Sequence, residues 1–364
     1  MSTIGTVVAA MSGGVDSAVT AALLKKQGYD VIGITLQVWQ EHAEQGKHGG
    51  CCSLGAVEDA RRAANRIGIP HYVLNFRDYF AEMVIDKFVD EYSKGRTPNP
   101  CVECNRSVKF DELQRQAKNL GADYLATGHY ARIRFNESTR RHELWRSRDS
   151  GKDQSYALYT LSQKQLSGTL MPLGELENKA ETRSIARDLG LALADKPDSQ
   201  EICFVPKEGY TSFLAAKAPA AMRPGKIVDS AGNVRGEHGG VAMYTVGQRK
   251  RLPASDSGPL YVLKLEPASN TVVIGNNEEL FAGAFVATRL NWISIAGLDG
   301  PLEVSARIRY NGTATAARIV PQGDDEVRCD FEAPQRAITP GQATVFYNGD
   351  CVVGGGTIEG VIGD

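Results

Sequence analysis

The sequence predicts a parallel-sheet α/β domain followed by an all-β region of two small domains. Three observations carry this. The 364 residues exceed what one ordinary core holds, so the chain divides into two or three domains. Up to about Pro206, short apolar strand-like segments alternate with segments of helical periodicity, the rhythm of a parallel sheet covered on both faces. Beyond it, glycine and proline become frequent and short strands alternate with period two.

The elements follow in order. Gly5–Met11 is a short apolar strand, and Asp16–Gln27 has apolar residues at helical spacing, closed by Gly28. Val31–Val38 reads as a strand, Leu54–Ile67 as a helix and Tyr72–Asn75 as a strand. Phe80–Tyr92 is an amphipathic helix with Phe80, Met83, Val84, Phe88 and Tyr92 on one face. Lys109–Leu120 is a further helix, ended by Gly121, and Asp123–Thr127 a strand. Arg132–Arg146 reads as a hairpin turning at Asn136–Arg140; helices resume at Lys164 and Thr182, the second ended by Gly190. The β region reads as Gly240–Val246, Leu260–Leu265, Val272–Ile274, Glu303–Tyr310, Ala316–Val320, Glu326–Phe331 and Ala343–Asn348, with a break near Glu278–Gly283. The predicted domains are 1–207, 208–281 and 282–364.

Composition narrows the class. Hydrophobic residues are 42% and charged residues 23%, an ordinary globular balance. No apolar run approaches the roughly 20 residues that span a bilayer. Met1–Ala10 carries no Lys or Arg, which argues against an export signal and for the cytoplasm. Seven cysteines, an odd number spread over the chain, do not make a secreted disulfide framework; they are buried, metal-bound or catalytic. The net charge of −2 gives no global signature for nucleic acid, so any RNA contact must come from local patches.

Ser12-Gly13-Gly14-Val15-Asp16-Ser17 lies between a strand and a helix. Two glycines let the backbone approach a ligand, two serines add hydroxyls, and the helix N-terminus adds its positive end; together they cradle phosphate. The Gly-Lys-Ser/Thr ending of a Walker loop is absent. Asp16 beside phosphates suits a carboxylate holding Mg²⁺ against their oxygens, or one favouring the helix N-terminus. The bland alternative is a Gly-Gly turn with serine caps. The hexapeptide resembles the loop of the PP-loop ATP pyrophosphatase group, whose members split ATP between the α- and β-phosphates and adenylate a substrate oxygen.

Pro98-Asn99-Pro100-Cys101-Val102-Glu103-Cys104 reads as a proline-stiffened loop, with Cys104 just before the next helix. A thiol at the positive end of a helix favours thiolate. Asp198-Ser199-Gln200-Glu201-Ile202-Cys203-Phe204 follows the helix ended by Gly190. Structural zinc needs four ligands, usually two such pairs, and the chain has no second C-x-x-C pair. Cys329 and Cys351 lie in strand-like segments and read as core thiols. Cys51 and Cys52 sit in a glycine- and histidine-rich loop that would suit a lid.

The resemblance then becomes specific. Met11–Ser17, Gly95–Phe110, Ala122–Tyr130, Lys152–Leu161, Asp198–Phe204, Tyr244–Lys250, Arg307–Tyr310 and Pro340–Gly349 resemble, in order, the blocks of the tRNA-specific 2-thiouridylases. The resemblance implies an adenine nucleotide alpha hydrolase-like α/β domain, a small mainly β central domain and a C-terminal β-barrel that contacts tRNA. It implies Cys104 as nucleophile and Cys203 as persulfide carrier. It implies ATP contacts at Ala10, Met11, Ser12, Gly13, Gly14, Val15, Asp16, Ser17, Leu36 and Gly128. Asn99, Pro100 and Cys101 would lie at the target base, and His129, Lys152, Asp153, Gln154, Arg309, Tyr310 and Gln342 would meet the tRNA. Many similar proteins have an acidic residue where this chain has Cys101, and the change brings a third thiol toward the pair.

The implied chemistry is adenylation of a uridine oxygen by ATP with Mg²⁺, attack by persulfide sulfur, and release by the second thiol with formation of a Cys104–Cys203 disulfide. The two cysteines are 203 − 104 = 99 residues apart, so the fold must join them. The implied partners are tRNA, for the Lys, Glu and Gln acceptors, and a sulfur-donor protein such as a desulfurase or relay. Arg132–Lys152 holds seven basic residues against three acidic ones, and Arg249-Lys250-Arg251 adds a second cluster. Residues 282–364 carry six Arg against ten Asp or Glu, so a barrel there would read RNA by shape and a few side chains. Two other enzyme readings compete: a thiolase using an iron–sulfur cluster on Cys101, Cys104 and Cys203, and an amide or nucleotide synthetase using the same loop.

Overall fold

The computed structural model describes residues 3–38, 54–198, 202–206, 208–255, 258–323 and 325–363. The chain packs as two compact units: Met1–Val84 with Cys101–Phe204 and Asp350–Val352, and Ile85–Pro100 with Val205–Gly349 and Val353–Asp364.

The first unit is the predicted α/β domain. Its strands are β1 (Thr6–Ala10), β2 (Asp30–Gln37), β3 (His71–Asn75), β4 (Tyr124–Ala126), and β7 (Thr169–Leu170), with β5 (Ala131–Asn136) and β6 (Arg141–Arg146) forming the expected hairpin. The five-stranded sheet is wholly parallel, in the order β3-β2-β1-β4-β7. Apolar strands need cover on both faces, and Val15–Gln27, Leu54–Ile67 and Lys179–Asp188 supply helices. Val7, Ala9, Val19, Ala60, Ala64 and Ala186 lie in one buried cluster, where small alanines let helices approach the sheet.

Two helices depart from the expected form. Arg77–Phe80, Ala81–Asp86 and Lys87–Ser93 run on without a break, the middle stretch wound as π-helix. Pro100–Glu103, Cys104–Leu113 and Gln114–Asn119 do the same, again with a π-wound middle. The second helix therefore starts nine residues earlier than the pattern at Lys109 suggests. Pro100 explains this, because the first helical position needs no N–H and proline already has the right φ.

The second unit holds a four-stranded sheet and a barrel. Strands β8 (Gly225–Asp229), β9 (Val234–His238), β10 (Tyr261–Glu266) and β11 (Thr271–Gly275) pair in the order β10-β11-β8-β9 over Ile227, Val262, Val272 and Ile274. The strand expected at Gly240–Val246 is instead one 3₁₀ turn, Val241–Met243. Its apolar residues are consecutive rather than alternating, and Val241, Ala242 and Tyr244 are all buried. The barrel runs β12 (Phe281–Trp292), β13 (Leu302–Arg307), β14 (Thr315–Gly323), β15 (Glu326–Arg336), β16 (Ala343–Asn348) and β17 (Cys351–Ile362), closed by pairing of β12 with β17. Closure removes exposed strand edges. Phe285, Ile319, Val327, Cys329, Phe346 and Ile358 fill its core. No helix of the described residues is long and apolar enough to cross a membrane.

Candidate active site

The strand order reverses between β1 and β4, so the chains leaving their carboxyl ends diverge and open a crevice. The serine–glycine loop fills one wall. Gly13 has φ of 73°, and a Cβ there would stand 2.2 Å from the Ala56 carbonyl oxygen, so only glycine fits. Ser17 Oγ accepts from Ser12 N at 3.1 Å and donates to Gly14 O at 3.1 Å, which ties the loop onto the helix it opens. Thr35 Oγ1 on β2 donates to Met11 O at 2.7 Å. Gly128, just past β4, makes the other wall: a Cβ there would lie 2.9 Å from Ser17 N. Ala10 to Ser17 and Gly128 thus surround one helix N-terminus. Leu36 is half-buried near the end of β2, opposite Leu74.

A charge network no single motif announced crosses this crevice. Asp16 accepts from Lys179 Nζ at 2.6 and 2.8 Å and from the Tyr130 hydroxyl at 2.7 Å. The same ammonium lies 2.9 Å from Asp198, and Lys152 Nζ donates to the other Asp198 oxygen at 2.8 Å. Burial works against charge on Asp198, but hydrogen bonds from Lys152 and Lys179 outweigh it and hold the carboxyl below its usual range. Lys196 Nζ donates to Gly13 O at 3.0 Å and pairs with Asp59 at 2.8 Å. Tyr130, Lys179, Lys196 and the role of Asp198 were not legible. The one available signal was a lysine at the first position of a helix, Lys179, where the dipole disfavours a cation.

The thiols divide by exposure. Cys101 is exposed, Cys104 and Cys203 are half-buried, and Cys329 and Cys351 are buried. Cys104 was expected just before a helix but lies inside one, at the start of the π-wound stretch. π-Turns within helices recur at functional positions. The segments carrying Cys104 and Cys203 lean on the same turn. Phe204 meets the Phe80 ring edge-on at 5.8 Å, and Tyr79 donates to the Ser107 carbonyl at 3.5 Å. Among the described residues no three His, Cys, Asp or Glu side chains converge as a metal site. Cys51, Cys52, Ser199, Gln200 and Glu201 lie outside the described residues.

The residues expected to meet tRNA fall into two groups. In the first unit, His129 Nδ1 shares a hydrogen with Thr127 Oγ1 at 2.8 Å; burial, then the charge of Lys109, keeps its ring pKa well below the usual histidine value. Gln154 brackets Tyr130: its N–H donates to Tyr130 O at 2.9 Å while Tyr130 N donates to its Oε1 at 3.0 Å. Asp153 accepts from Ser147 N and Ser155. In the second unit, Thr97 N donates to Pro340 O at 2.9 Å, and Gln342 Nε2 donates to Thr97 O at 2.8 Å. Gln342 thereby fixes the segment leading to Asn99 and Pro100. Arg309 donates to Arg336 O at 3.1 Å, and Tyr310 stays exposed under the Arg307 guanidinium. The basic hairpin is partly spent internally: Arg132 donates to Arg146 O, Arg134 stacks on Trp145, Arg140 pairs with Glu137, and Arg148 with Glu175 and Glu177.

Comparison with known proteins bears on the whole chain. The family described as tRNA methyl transferase HUP domain matches residues 5–207, tRNA methyl transferase PRC-barrel domain residues 211–276, and Aminomethyltransferase beta-barrel domain residues 282–358. The tRNA-specific 2-thiouridylase MnmA of Heliobacterium modesticaldum is 56% identical over 97% of this chain and 92% of its own. The proteins of that name from Clostridium perfringens and Clostridioides difficile are 53% and 51% identical, covering 98% and 97% of this chain and 99% and 98% of theirs. Identity at that level, end to end, makes the chain a member of the tRNA-specific 2-thiouridylase family.

Proposed function

We propose that this protein replaces the 2-oxygen of a tRNA uridine with sulfur at the expense of ATP, releasing AMP and pyrophosphate. The observation that carries the reading is the coincidence of full-length kinship to 2-thiouridylases with a lysine-free phosphate loop at the switch point of the sheet. The base oxygen attacks the α-phosphorus and pyrophosphate leaves. The terminal sulfur of a Cys203 persulfide attacks the activated carbon and AMP leaves. The Cys104 thiolate then attacks Cys203 Sγ, forming the Cys104–Cys203 disulfide and freeing the thiocarbonyl. A dithiol reductant restores the pair, and a sulfur-donor protein reloads Cys203. Ala10 to Ser17, Leu36 and Gly128 hold the nucleotide.

Mg²⁺ fits the residues present. This ion uses one or two carboxylates with substrate phosphates and keeps its waters, so it needs no protein cage. Asp16 at the loop is the carboxylate that would hold it, and the ion would neutralise pyrophosphate as it departs. Asn99, Pro100 and Cys101 serve the target base; His129, Lys152, Asp153, Gln154, Arg309, Tyr310 and Gln342 serve tRNA placement, several through the backbone they brace. The working segments are 1–207, 208–281 and 282–364, in the cytoplasm.

The test is nucleoside mass spectrometry after incubation with ATP, Mg²⁺, unmodified tRNA and a persulfide donor. Sulfur-for-oxygen exchange on uridine, with AMP produced, is expected. An added methyl group, as the descriptions of the matched families would suggest, or ADP as product, would refute the reading.

A further inference from the structure

Joining the 2-oxygen of a uridine to AMP leaves one proton to be removed. The pyrimidine carries it on N3, next to the reacting carbon, and the adenylated pyrimidine holds a C2–N3 double bond instead. A group that takes this proton must stand near both the phosphate loop and the helix of Cys104.

His129 stands there. It follows Gly128 at the carboxyl end of β4, and a Cβ on Gly128 would meet Ser17 N at 2.9 Å and Asp16 Cβ at 3.1 Å. The histidine therefore begins one residue from the loop wall. On its other side the ring packs on Phe110, with centroids 5.7 Å apart and planes tilted by 38°. Phe110 belongs to the π-wound stretch Cys104–Leu113. Lys109 of the same stretch donates from Nζ at 3.0 Å to the side chain of Asn105, the residue after Cys104, and Asn105 Nδ2 is anchored on Ala157 O at 2.9 Å. One imidazole thus spans from the wall of the phosphate loop to the helix that carries a thiol.

Three features suit the ring to accept a proton. Nδ1 lies 2.8 Å from Thr127 Oγ1, and with Nδ1–H donating there the lone pair sits on Nε2. Among the described residues Nε2 has no hydrogen-bond partner, and the half-buried ring does not seal it off. Burial, then the charge of Lys109, holds the ring pKa well below the usual histidine value, so the ring is neutral at pH 7. Thr127 and Phe110, its other neighbours, carry no charge. A weak base is enough, because the pyrimidine becomes cationic as its oxygen bonds to phosphorus and N3–H turns strongly acidic.

We propose that His129 is the catalytic base of adenylation, its Nε2 accepting the N3 proton of the target uridine as the 2-oxygen bonds to the α-phosphorus and pyrophosphate leaves. The inference rests on the thiolation reading and deepens it. The electron pair of the N3–H bond becomes the C2–N3 π bond, and the proton rests on Nε2. When persulfide sulfur adds to C2, that π pair returns to N3, which takes the proton back. An imidazolium beside the Lys109 ammonium gives it up readily. The proton is conserved over the two steps, and no oxidant or reductant enters them.

The experiment measures adenylation alone. The full chain is mixed with ATP labelled on the α-phosphate, Mg²⁺ and saturating unmodified tRNA, without a sulfur donor, and label joined to tRNA is followed over a single turnover. His129→Gln and His129→Ala should slow it about 10²-fold, the lower end for general-base catalysis, with the dissociation constants of ATP and tRNA kept within a few-fold. Added imidazole should restore part of the rate in His129→Ala, which a role in tRNA placement would not allow. A rate within ten-fold of wild type at saturating tRNA overturns the proposal, as does a loss confined to tRNA affinity or a His129→Ala protein that imidazole does not rescue. If His129→Ala does not fold, His129→Gln decides alone. Absence of label on tRNA with the wild-type protein strikes the thiolation reading itself, whereas full labelling by the variants strikes only the role of His129.

Discussion

The thiols of the parallel-sheet unit and those of the barrel sit in opposite environments. Cys104 and Cys203 are half-buried, in segments that lean on one helical turn, and the same unit holds a network in which Asp198 pairs with Lys152 and Lys179. Cys329 is fully buried among Phe285, Ile319 and Val327; burial, then the charge of Asp330, pushes its thiol far above the usual range. The ion pairs differ in the same way. Lys179 with Asp16 is 13% and 30% exposed, while Arg318 with Glu303 in the barrel is 57% and 74% exposed. Exposed pairs contribute little, typically below about 1 kcal/mol. Residue type therefore says little by itself: a cysteine is half-buried in one unit and core filler in the other, and an ion pair is shielded in one and solvated in the other.

The sharpest way to break this contrast is to replace the two thiols proposed to react. Cys203→Ser and Cys104→Ser should each abolish thiolation while leaving ATP binding intact, because the phosphate loop is untouched. Retained thiolation in Cys203→Ser, read by nucleoside mass spectrometry, would make that thiol structural.

A second break attacks the crevice. Gly13→Ala should remove ATP binding, since its Cβ would fall 2.2 Å from the Ala56 oxygen at a φ of 73°. The left-handed backbone alone costs about 1–2 kcal/mol for a side-chain residue, so calorimetry with ATP should show no binding even if the protein folds.

Smaller effects sharpen it. Acidification should loosen the fold through histidines whose pKa burial lowers. The pKa of His129 is lowered by burial and then by Lys109, that of His71 by burial and then by Arg61, and that of His238 by burial. An unfolded histidine binds its proton near pH 6.5, so below that the unfolded state holds more protons and stability falls as pH falls. The loss should begin near pH 6.5 and grow toward pH 5 in thermal melts; His129→Asn should flatten that slope.

The smallest effects belong to Cys101 and Cys329. Cys101→Asp and Cys101→Ser should keep thiolation within a few-fold and carry no iron, because Cys101 is exposed and the proposed two-thiol chemistry does not use it. Joint loss of iron and activity would move the mechanism to a cluster. Cys329→Ala should cost about 1 kcal/mol, the scale of one buried methyl-sized deletion, with activity unchanged.

Much of the fold was legible because periodicity is local. The strands at β1, β2 and β16, the hairpin of β5 and β6, and the glycine that ends each early helix announce themselves within a dozen residues. Two barrel strands did not. In β17, Gly354 reads as a strand breaker, yet a Cβ there would lie 2.5 Å from the Asn291 oxygen of β12. Only the partner strand explains the glycine.

By itself the sequence determined the α/β-then-β order, the phosphate loop and the two cysteine segments, since each depends on neighbours along the chain. Tertiary structure alone decided that the helix with Cys104 starts at Pro100, and that Gly128 closes over Ser17. It alone decided that Lys179 joins Asp16 to Asp198, a link between residues 163 and 19 positions distant from it. Charge pairing acts through space at less than 3 Å, and no pattern of spacing along a chain encodes which distant carboxylate a lysine will reach.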